Sequence, residues 1–499
     1  PYKGVAYRTS PTNIGMGLIS NIAAYDLGYL PLGGVVDRIE LILGGMHKLE
    51  KYKGHYLNWY DTRNCEALWP RYISTVDSGN LLGYLWIISK TLVEYKKNSL
   101  MRDEEIKSLH DSLKIAGINL KLNKKVTVKN YEAILEEVLV NLEEVDSSKE
   151  MDKERIYWID KLKHEIKIKM SYYEYLFDGM QKFIGEKFKD NAPNIYEYIS
   201  YIEELIHISG DDLKPVLKER LASIKTLLNR IDSLILEIDL IIKEMDFSFL
   251  YSKDRGLFTI GYNLEEKSSG ESFYDLLASE SRTTSFITIA LNQVPKEHWF
   301  KLGRAMTDAF KEKSLVSWSG TMFEYFMPAL IMKSYDDTLL SMTYSSVIEA
   351  QKKYAEKREV PWGISESAYY QFDLGDNYQY KAFGVEGIGL KRGLEDELVI
   401  SPYSTLMTIP FSREEGIKNL KRLQKKGAYG RYGFIESIDY TPNRISRMDV
   451  DESRGNSKQV RCYMVHHLGM SLLALDNALK NNILQRRFLM IILVLILHQ

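Results

Sequence analysis

The stretch Ser74-Thr75-Val76-Asp77-Ser78-Gly79-Asn80, followed by Leu81, Leu82, Leu85, Ile88 and Leu92, decides the fold. A polar loop carrying a carboxylate runs straight into apolar residues at three- and four-residue steps, the period of a helix. Asp77-Ser78 is a suitable cap for its start. The same texture recurs outward from this point. Ile14, Leu18, Ile19 and Ile22 share one helical face, with Thr9-Ser10-Pro11 as the start signal. Further helices are predicted near 286–292, 323–333, 341–355, 414–425 and 463–480, and the loops between them hold most of the Gly, Trp and Tyr. Strand signals are short, as at 257–262, and neither a βαβ alternation nor a tandem repeat is present. Paired helices with functional loops between them point to an all-α toroid whose site is built at one rim.

Residues 99–245 differ from their flanks. They are rich in Lys and Glu, poor in Gly and Pro, and carry Leu and Ile at helical steps through 217–245. This predicts a helical hairpin or small bundle inserted into the main domain, its charges forming a solvated face. The main domain then comprises residues 1–98 and 246–488. The remaining 489–499 belong to an apolar run that is too short for a bilayer, which takes about 20 residues. A truncation or reading-frame artefact is expected there, with a packed terminal segment as the alternative. The opening Pro1-Tyr2-Lys3 has neither Met nor an apolar leader, so a cut from a longer polypeptide is expected.

Composition narrows the function classes. A net charge of −2 over 499 residues lacks the basic excess that a nucleic-acid surface needs. The two cysteines, Cys65 and Cys462, make no CxxC spacing and no disulfide framework. The 34 Tyr, 17 Phe and 7 Trp are more than a core absorbs easily, since a buried Tyr hydroxyl needs a partner. Such rings suit sugar clefts, where a ring face stacks on pyranose C–H groups.

Glycoside cleavage requires an acid for the leaving oxygen and a second carboxylate as nucleophile or base. Acids in aromatic, glycine-bearing loops are therefore the candidates. They are Asp61 in Trp59-Tyr60-Asp61-Thr62-Arg63, Asp77 in the opening stretch, Glu280 in Ala278-Ser279-Glu280-Ser281-Arg282, Glu324 in Ser319-Gly320-Thr321-Met322-Phe323-Glu324-Tyr325, and Glu366 in 361–369. Tyr432-Gly433-Phe434-Ile435-Glu436-Ser437 is similar. Each acid has a plainer reading: Asp77 caps a helix, Glu324 favours a helix dipole, and Arg282 pairs with Glu280. Their density beside aromatics is what points to a carbohydrate cleft. No dinucleotide fingerprint, phosphate loop or GxSxG elbow occurs. His466 and His467, adjacent on a helix, point about 100° apart and cannot chelate one metal from one face; one contacts substrate while the other packs.

These runs, together with Arg8-Thr9-Ser10-Pro11-Thr12-Asn13-Ile14-Gly15, Pro70-Arg71-Tyr72-Ile73, Tyr378-Gln379-Tyr380-Lys381-Ala382-Phe383-Gly384 and His466-His467-Leu468-Gly469-Met470-Ser471, resemble the middle region of cyclic β-1,2-glucan synthases. The resemblance covers nearly all the chain outside 99–245 and the last residues; Leu468 and everything after Arg487 depart from the pattern. It implies an (α/α)6 toroidal barrel of the glucoamylase-like, six-hairpin type with a helical insertion. It further implies a soluble domain on the cytoplasmic side of a bacterial inner membrane, between glycosyltransferase and phosphorylase-like regions of one longer polypeptide. The implied activity is retaining transglycosylation that closes β-1,2-glucan into rings, without cofactor or metal. Carried over by motif, Glu280 is the acid/base and Glu366 the nucleophile. Trp59, Tyr60, Trp318, Phe323, Trp362 and Tyr369 become sugar platforms, and Asp61, Asp77, Glu324, Arg282 and His466 further substrate contacts. An endo-β-1,2-glucanase and a silent glucan-binding module remain open as alternatives.

Overall fold

Ser74 starts the helix that the opening stretch predicts. In the computed structural model, which describes residues 4–122, 126–146, 152–189, 191–308, 313–445 and 457–497, that helix spans Thr75–Tyr95. The Ser74 hydroxyl accepts the Asp77 N–H at 3.2 Å, so Ser74 is the cap and Asp77 lies in the first turn. The start expected at Asp77-Ser78 thus moves back by about one turn, because a serine one position before the helix satisfies the same orphan N–H. Leu81, Leu82, Leu85, Ile88 and Leu92 are all fully buried. The helix Pro11–Asp26 begins where Ser10-Pro11 predicts, with Ser10 Oγ accepting the Asn13 N–H at 3.3 Å.

Helices make up 53% of the structure. Among the described residues the strands run two to six residues, and they pair mostly as two-stranded antiparallel ribbons. The exception is a three-stranded sheet of Val399–Ile400, Ser437–Asp439 and Lys458–Val460. Ribbons this short cannot form a core; they brace loops. The fold is all-α.

Contacts divide the chain into two units. The first comprises Pro1–Ile19, Lys48–Ile87 and Ile241–Gln499; the second comprises Ser20–His47 and Ile88–Leu240. The second unit holds all but the last four residues of the long helix Lys214–Glu244, which runs as one rod through most of 217–245. Leu217, Ile224, Leu227, Ile231, Leu234 and Ile238 form its buried stripe at three-, four- and seven-residue steps. The charged face also makes specific pairs, as where Arg230 reaches Glu40 at 2.6 and 2.9 Å. Lys169 is wholly buried there, bonded to Glu165 at 2.9 Å and to the Gly28 carbonyl at 2.8 Å.

The first unit carries the candidate site. Two of its helices are Arg282–Ala290 and Val465–Leu479, the latter packed on Pro402–Met407. Gly79 sits where Thr75–Tyr95 meets Arg282–Ala290: a Cβ there would strike the Thr284 hydroxyl and approach its Cβ to 2.7 Å. Only glycine allows the approach that sets Asn80 beside Glu280. The terminal helix Ile483–Leu497 continues through the expected break at 488/489, and its buried Phe488 packs edge-on against Trp86 and at a 37° tilt against Phe286. Residues 498–499 lie outside the described residues. Among the described residues no helix is long and apolar enough to cross a membrane.

Candidate active site

Glu280 precedes the helix Arg282–Ala290 and is 4% exposed. Its carboxylate accepts the Asn80 side-chain amide at 2.7 Å and the Ser279 hydroxyl. Burial pushes its pKa up to about 7; the charge of Asp77 adds, and the Ser279 and Asn80 bonds oppose. Ser279 is held in the left-handed region at φ +52, a conformation costing a non-glycine residue roughly 1–2 kcal/mol. Glu324 helps hold it there, accepting the Ser279 N–H at 3.3 Å and the Ser319 N–H at 2.8 Å.

Glu366 is partly buried on the loop that leads into Ser367–Phe372. Burial raises its pKa to about 8, with the carboxylates of Glu280, Glu324 and Glu436 adding and a bond from Tyr380 opposing. The charge of Glu280 therefore reaches Glu366 and disfavours a second charge there. Such a pair favours sharing one proton over carrying two charges.

Behind Glu366 runs a chain of hydrogen bonds. The Tyr380 hydroxyl is 3.0 Å from Glu366 Oε1 and 3.2 Å from His467 Nε2. His467 Nδ1 is 2.9 and 3.0 Å from the two oxygens of Glu436. Tyr403 stacks on the His467 ring at 3.6 Å and 8°, while its hydroxyl donates to the Glu366 carbonyl at 2.8 Å. Burial keeps His467 well below the usual imidazole range and lifts Glu436 to about 7. The Glu436 loop and the His pair are both legible in the sequence; the expected contact, His466, sits 4.1 Å from the His467 ring and 6.2 Å from Tyr380, while His467 makes the hydrogen bonds. Tyr403 has no sequence signal, since a lone tyrosine on a short helix looks like core.

The other expected contacts separate. Asp77 accepts the Thr12 N–H at 3.4 Å and lies near Glu280. Trp318, 55% exposed, presents an open ring and is tied to the loop before Glu280 by its backbone N–H, which donates to the Leu277 carbonyl at 2.9 Å. Trp59 is 37% exposed under the Arg8 guanidinium. Asp61 holds Arg63 in a two-pronged pair, whose hydrogen bonds lower its pKa to about 2. Arg282 is 1% exposed, and its guanidinium lies on the backbone carbonyls of Glu324 and Tyr325, so it braces the loop under Glu280 instead of pairing with it. Tyr60 is fully buried, with its hydroxyl on the Glu50 carbonyl at 2.5 Å and the Leu57 N–H at 2.6 Å. Phe323, Trp362 and Tyr369 are each 6% exposed, and Arg444 covers the Tyr369 ring at 4.3 Å.

Over 98% of its length the chain is 33% identical to cyclic β-(1,2)-glucan synthase of Rhizobium meliloti (strain 1021). The resemblance to cyclic β-1,2-glucan synthases holds. The chain spans 17% of that synthase's length. A family model described as "Putative glucoamylase" matches residues 272–491, the part that carries Glu280, Glu366, Glu436 and His467. A crystal structure of the same description from Bacteroides caccae ATCC 43185 aligns with a TM-score of 0.56 at 11% identity, covering 97% of this chain and 87% of that one. An endo-β-1,2-glucanase from Chitinophaga pinensis, solved with sophorotriose and glucose, aligns at 0.55 and 10% identity, covering 97% and 84%. The glucoamylase-like toroid is thus the fold of this synthase-like chain. Among the described residues no group of three His, Cys, Asp or Glu side chains is placed to hold a metal ion.

Proposed function

We propose that the chain cuts and rejoins β-1,2-glucan by retaining transglycosylation, with Glu280 and Glu366 as the working pair. The observation that carries this reading is two carboxyls, each raised well above the ordinary range, with Glu280 adding to the rise of Glu366. The similarity to a cyclic β-(1,2)-glucan synthase and the fold shared with a β-1,2-glucanase support the choice of substrate.

The roles are taken in the order implied by family likeness, with Glu280 as the acid/base and Glu366 as the nucleophile. The Tyr380 hydroxyl donates to Glu366 Oε1 at 3.0 Å, a bond that supports the carboxylate form against the rise caused by burial. Glu280, lifted to about 7 chiefly by burial, keeps a proton available near neutral pH. A Glu366 oxygen bonds to the anomeric carbon as the glycosidic bond breaks, and Glu280 gives its proton to the departing oxygen. A hydroxyl from the other end of the glucan then attacks the glycosyl ester. Its proton passes to Glu280, Glu366 leaves as carboxylate, and a ring results. Water in place of that hydroxyl gives a linear product. In this reading the domain works on glucan supplied by other regions of a longer polypeptide, at the cytoplasmic side of a membrane.

Incubation with linear β-1,2-glucan tests the reading. Rings support cyclisation, shorter linear chains mean hydrolysis, and no change means a binding module. Azide separates the two carboxyls. A Glu366→Ala enzyme given azide is expected to form the α-glycosyl azide, and a Glu280→Ala enzyme the β-azide. The opposite pairing exchanges the two roles.

A further inference from the structure

We infer that Glu324 is a positioning residue: its carboxylate ties the Glu280 loop to the Trp318 loop and so fixes where the proton on Glu280 meets a sugar lying on Trp318. The inference rests on the reading of Glu280 as acid/base and Trp318 as sugar platform, and adds the group that sets one against the other.

Glu324 is 4% exposed and lies on the short helix Met322–Phe326. One of its oxygens accepts the Ser279 N–H at 3.3 Å, and the other accepts the Ser319 N–H at 2.8 Å. Ser279 precedes Glu280 and Ser319 follows Trp318. Burial raises the pKa of Glu324, and bonds from the Ser319 and Ser317 side chains and from the two N–H groups oppose the rise. A carboxylate has about four acceptor sites, so these bonds fill it and leave no place for a sugar hydroxyl. The substrate contact expected of Glu324 gives way to a brace.

The two loops are joined at a second point, where the Trp318 backbone N–H donates to the Leu277 carbonyl at 2.9 Å. The Trp318 carbonyl accepts the Lys391 N–H at 2.8 Å, so the backbone is held on both sides while the ring stays open. The helix under them is fixed as well. Thr321 caps it by accepting the Glu324 N–H at 3.3 Å, and the Arg282 guanidinium holds the carbonyls of Glu324 and Tyr325 at 2.9 and 2.5 Å. Its first residues reach the loop of the nucleophile: the Phe323 N–H donates to Ser365 Oγ at 3.0 Å, and the Met322 N–H to the Ile364 carbonyl at 3.3 Å. One helix thus anchors both carboxyl-bearing loops, and the Glu324 side chain is its link to the acid/base. Ser279 sits at φ +52, which serine does not favour, so its N–H bond holds a conformation that the loop alone would leave.

Substrates that differ in their need for an acid supply the test. Glu324→Gln keeps the shape but turns an amide N–H toward one of the two backbone N–H groups, so one strut is lost. Turnover of linear β-1,2-glucan is expected to fall about 100-fold, within the range that a placed general acid contributes. The burst of dinitrophenolate from a dinitrophenyl β-sophoroside, whose leaving group needs no proton, is expected to change less than about threefold. In a Trp318→Ala background, Glu324→Gln is expected to lower kcat and leave KM where Trp318→Ala alone puts it. In a Ser279→Gly background, where glycine takes φ +52 freely, the loss in kcat is expected to shrink. Equal losses on both substrates mean a merely structural role and overturn the proposal. A rise in KM that persists without Trp318, the mark of a direct sugar contact, overturns it too. In the unmutated chain the Ser279 and Ser319 amides are expected to exchange hydrogen slowly and together; exchange at the rate of an open loop overturns the proposal without any variant having to fold. Full glucan turnover by Glu280→Gln would instead sink the acid/base reading, while amide exchange still reports on the brace.

Discussion

Replacing Glu280 by Gln should make the protein more stable and inactive, with a stability gain that grows with pH. The folded chain lifts this carboxyl from its ordinary 4.5 to about 7, chiefly by burial. The folded state therefore holds the proton more tightly than the unfolded chain does. Stability from this group is fully present below pH 4.5 and is lost as pH rises through about 7. The difference of about 2.5 pH units at 1.36 kcal/mol each amounts to about 3 kcal/mol at pH 8. An amide occupies the same space, can still accept from Asn80, and never ionises. An unfolding entropy of about 2.1 cal/mol/K per residue gives this chain roughly 1 kcal/mol/K, so the gain corresponds to about 3 °C in Tm. Thermal unfolding followed by tryptophan fluorescence should show nearly coincident Tm values at pH 5 and a separation of about 3 °C at pH 8. A separation that is constant with pH would refute the claim that Glu280 is desolvated and gains its charge only as pH rises through about 7. A variant less stable at pH 8 would refute it more strongly, by showing that the carboxylate was stabilised by its partners.

Other substitutions probe the frame. Gly79→Ala must push Thr284 away, so a loss of about 1–3 kcal/mol is expected, with kcat falling because Asn80 leaves Glu280; Thr284→Ala in the same chain should recover part of both, read by Tm and by glucan turnover. Tyr60→Phe and Trp318→Ala should split cleanly. The first leaves the buried Leu57 N–H without its acceptor and takes a donor from the Glu50 carbonyl, lowering stability by about 1–3 kcal/mol with KM unchanged. The second removes an exposed ring, raising KM with Tm unchanged.

Much of the fold was legible because helices announce themselves locally. Apolar spacing located Pro11–Asp26, Thr75–Tyr95, Leu339–Glu356, Arg413–Lys425 and Val465–Leu479 to within a few residues. The short Pro402–Met407 escaped, as six residues carry too little periodicity. The division into units was not local information either. Ser20–His47 joins the charged helices through contacts that no window of sequence contains.

For the site, sequence determined the candidate carboxylates, because acids among glycines, hydroxyls and aromatics are chemically unusual wherever the chain goes. It could not decide what each side chain faces. Tyr60, Trp362 and Trp318 look alike as letters in loops, yet two are buried and one is open. Arg282 looks like a partner for Glu280 and is instead bound to backbone carbonyls 42 and 43 residues away in sequence. The link from Glu366 to Tyr380, His467 and Glu436 joins positions up to 101 residues apart by numbering. Hydrogen bonds act over about 3 Å, so their pattern exists only once the chain has brought distant loops together. The sequence determined which acids were available; the tertiary structure decided which of them are buried together, where a proton is held more tightly.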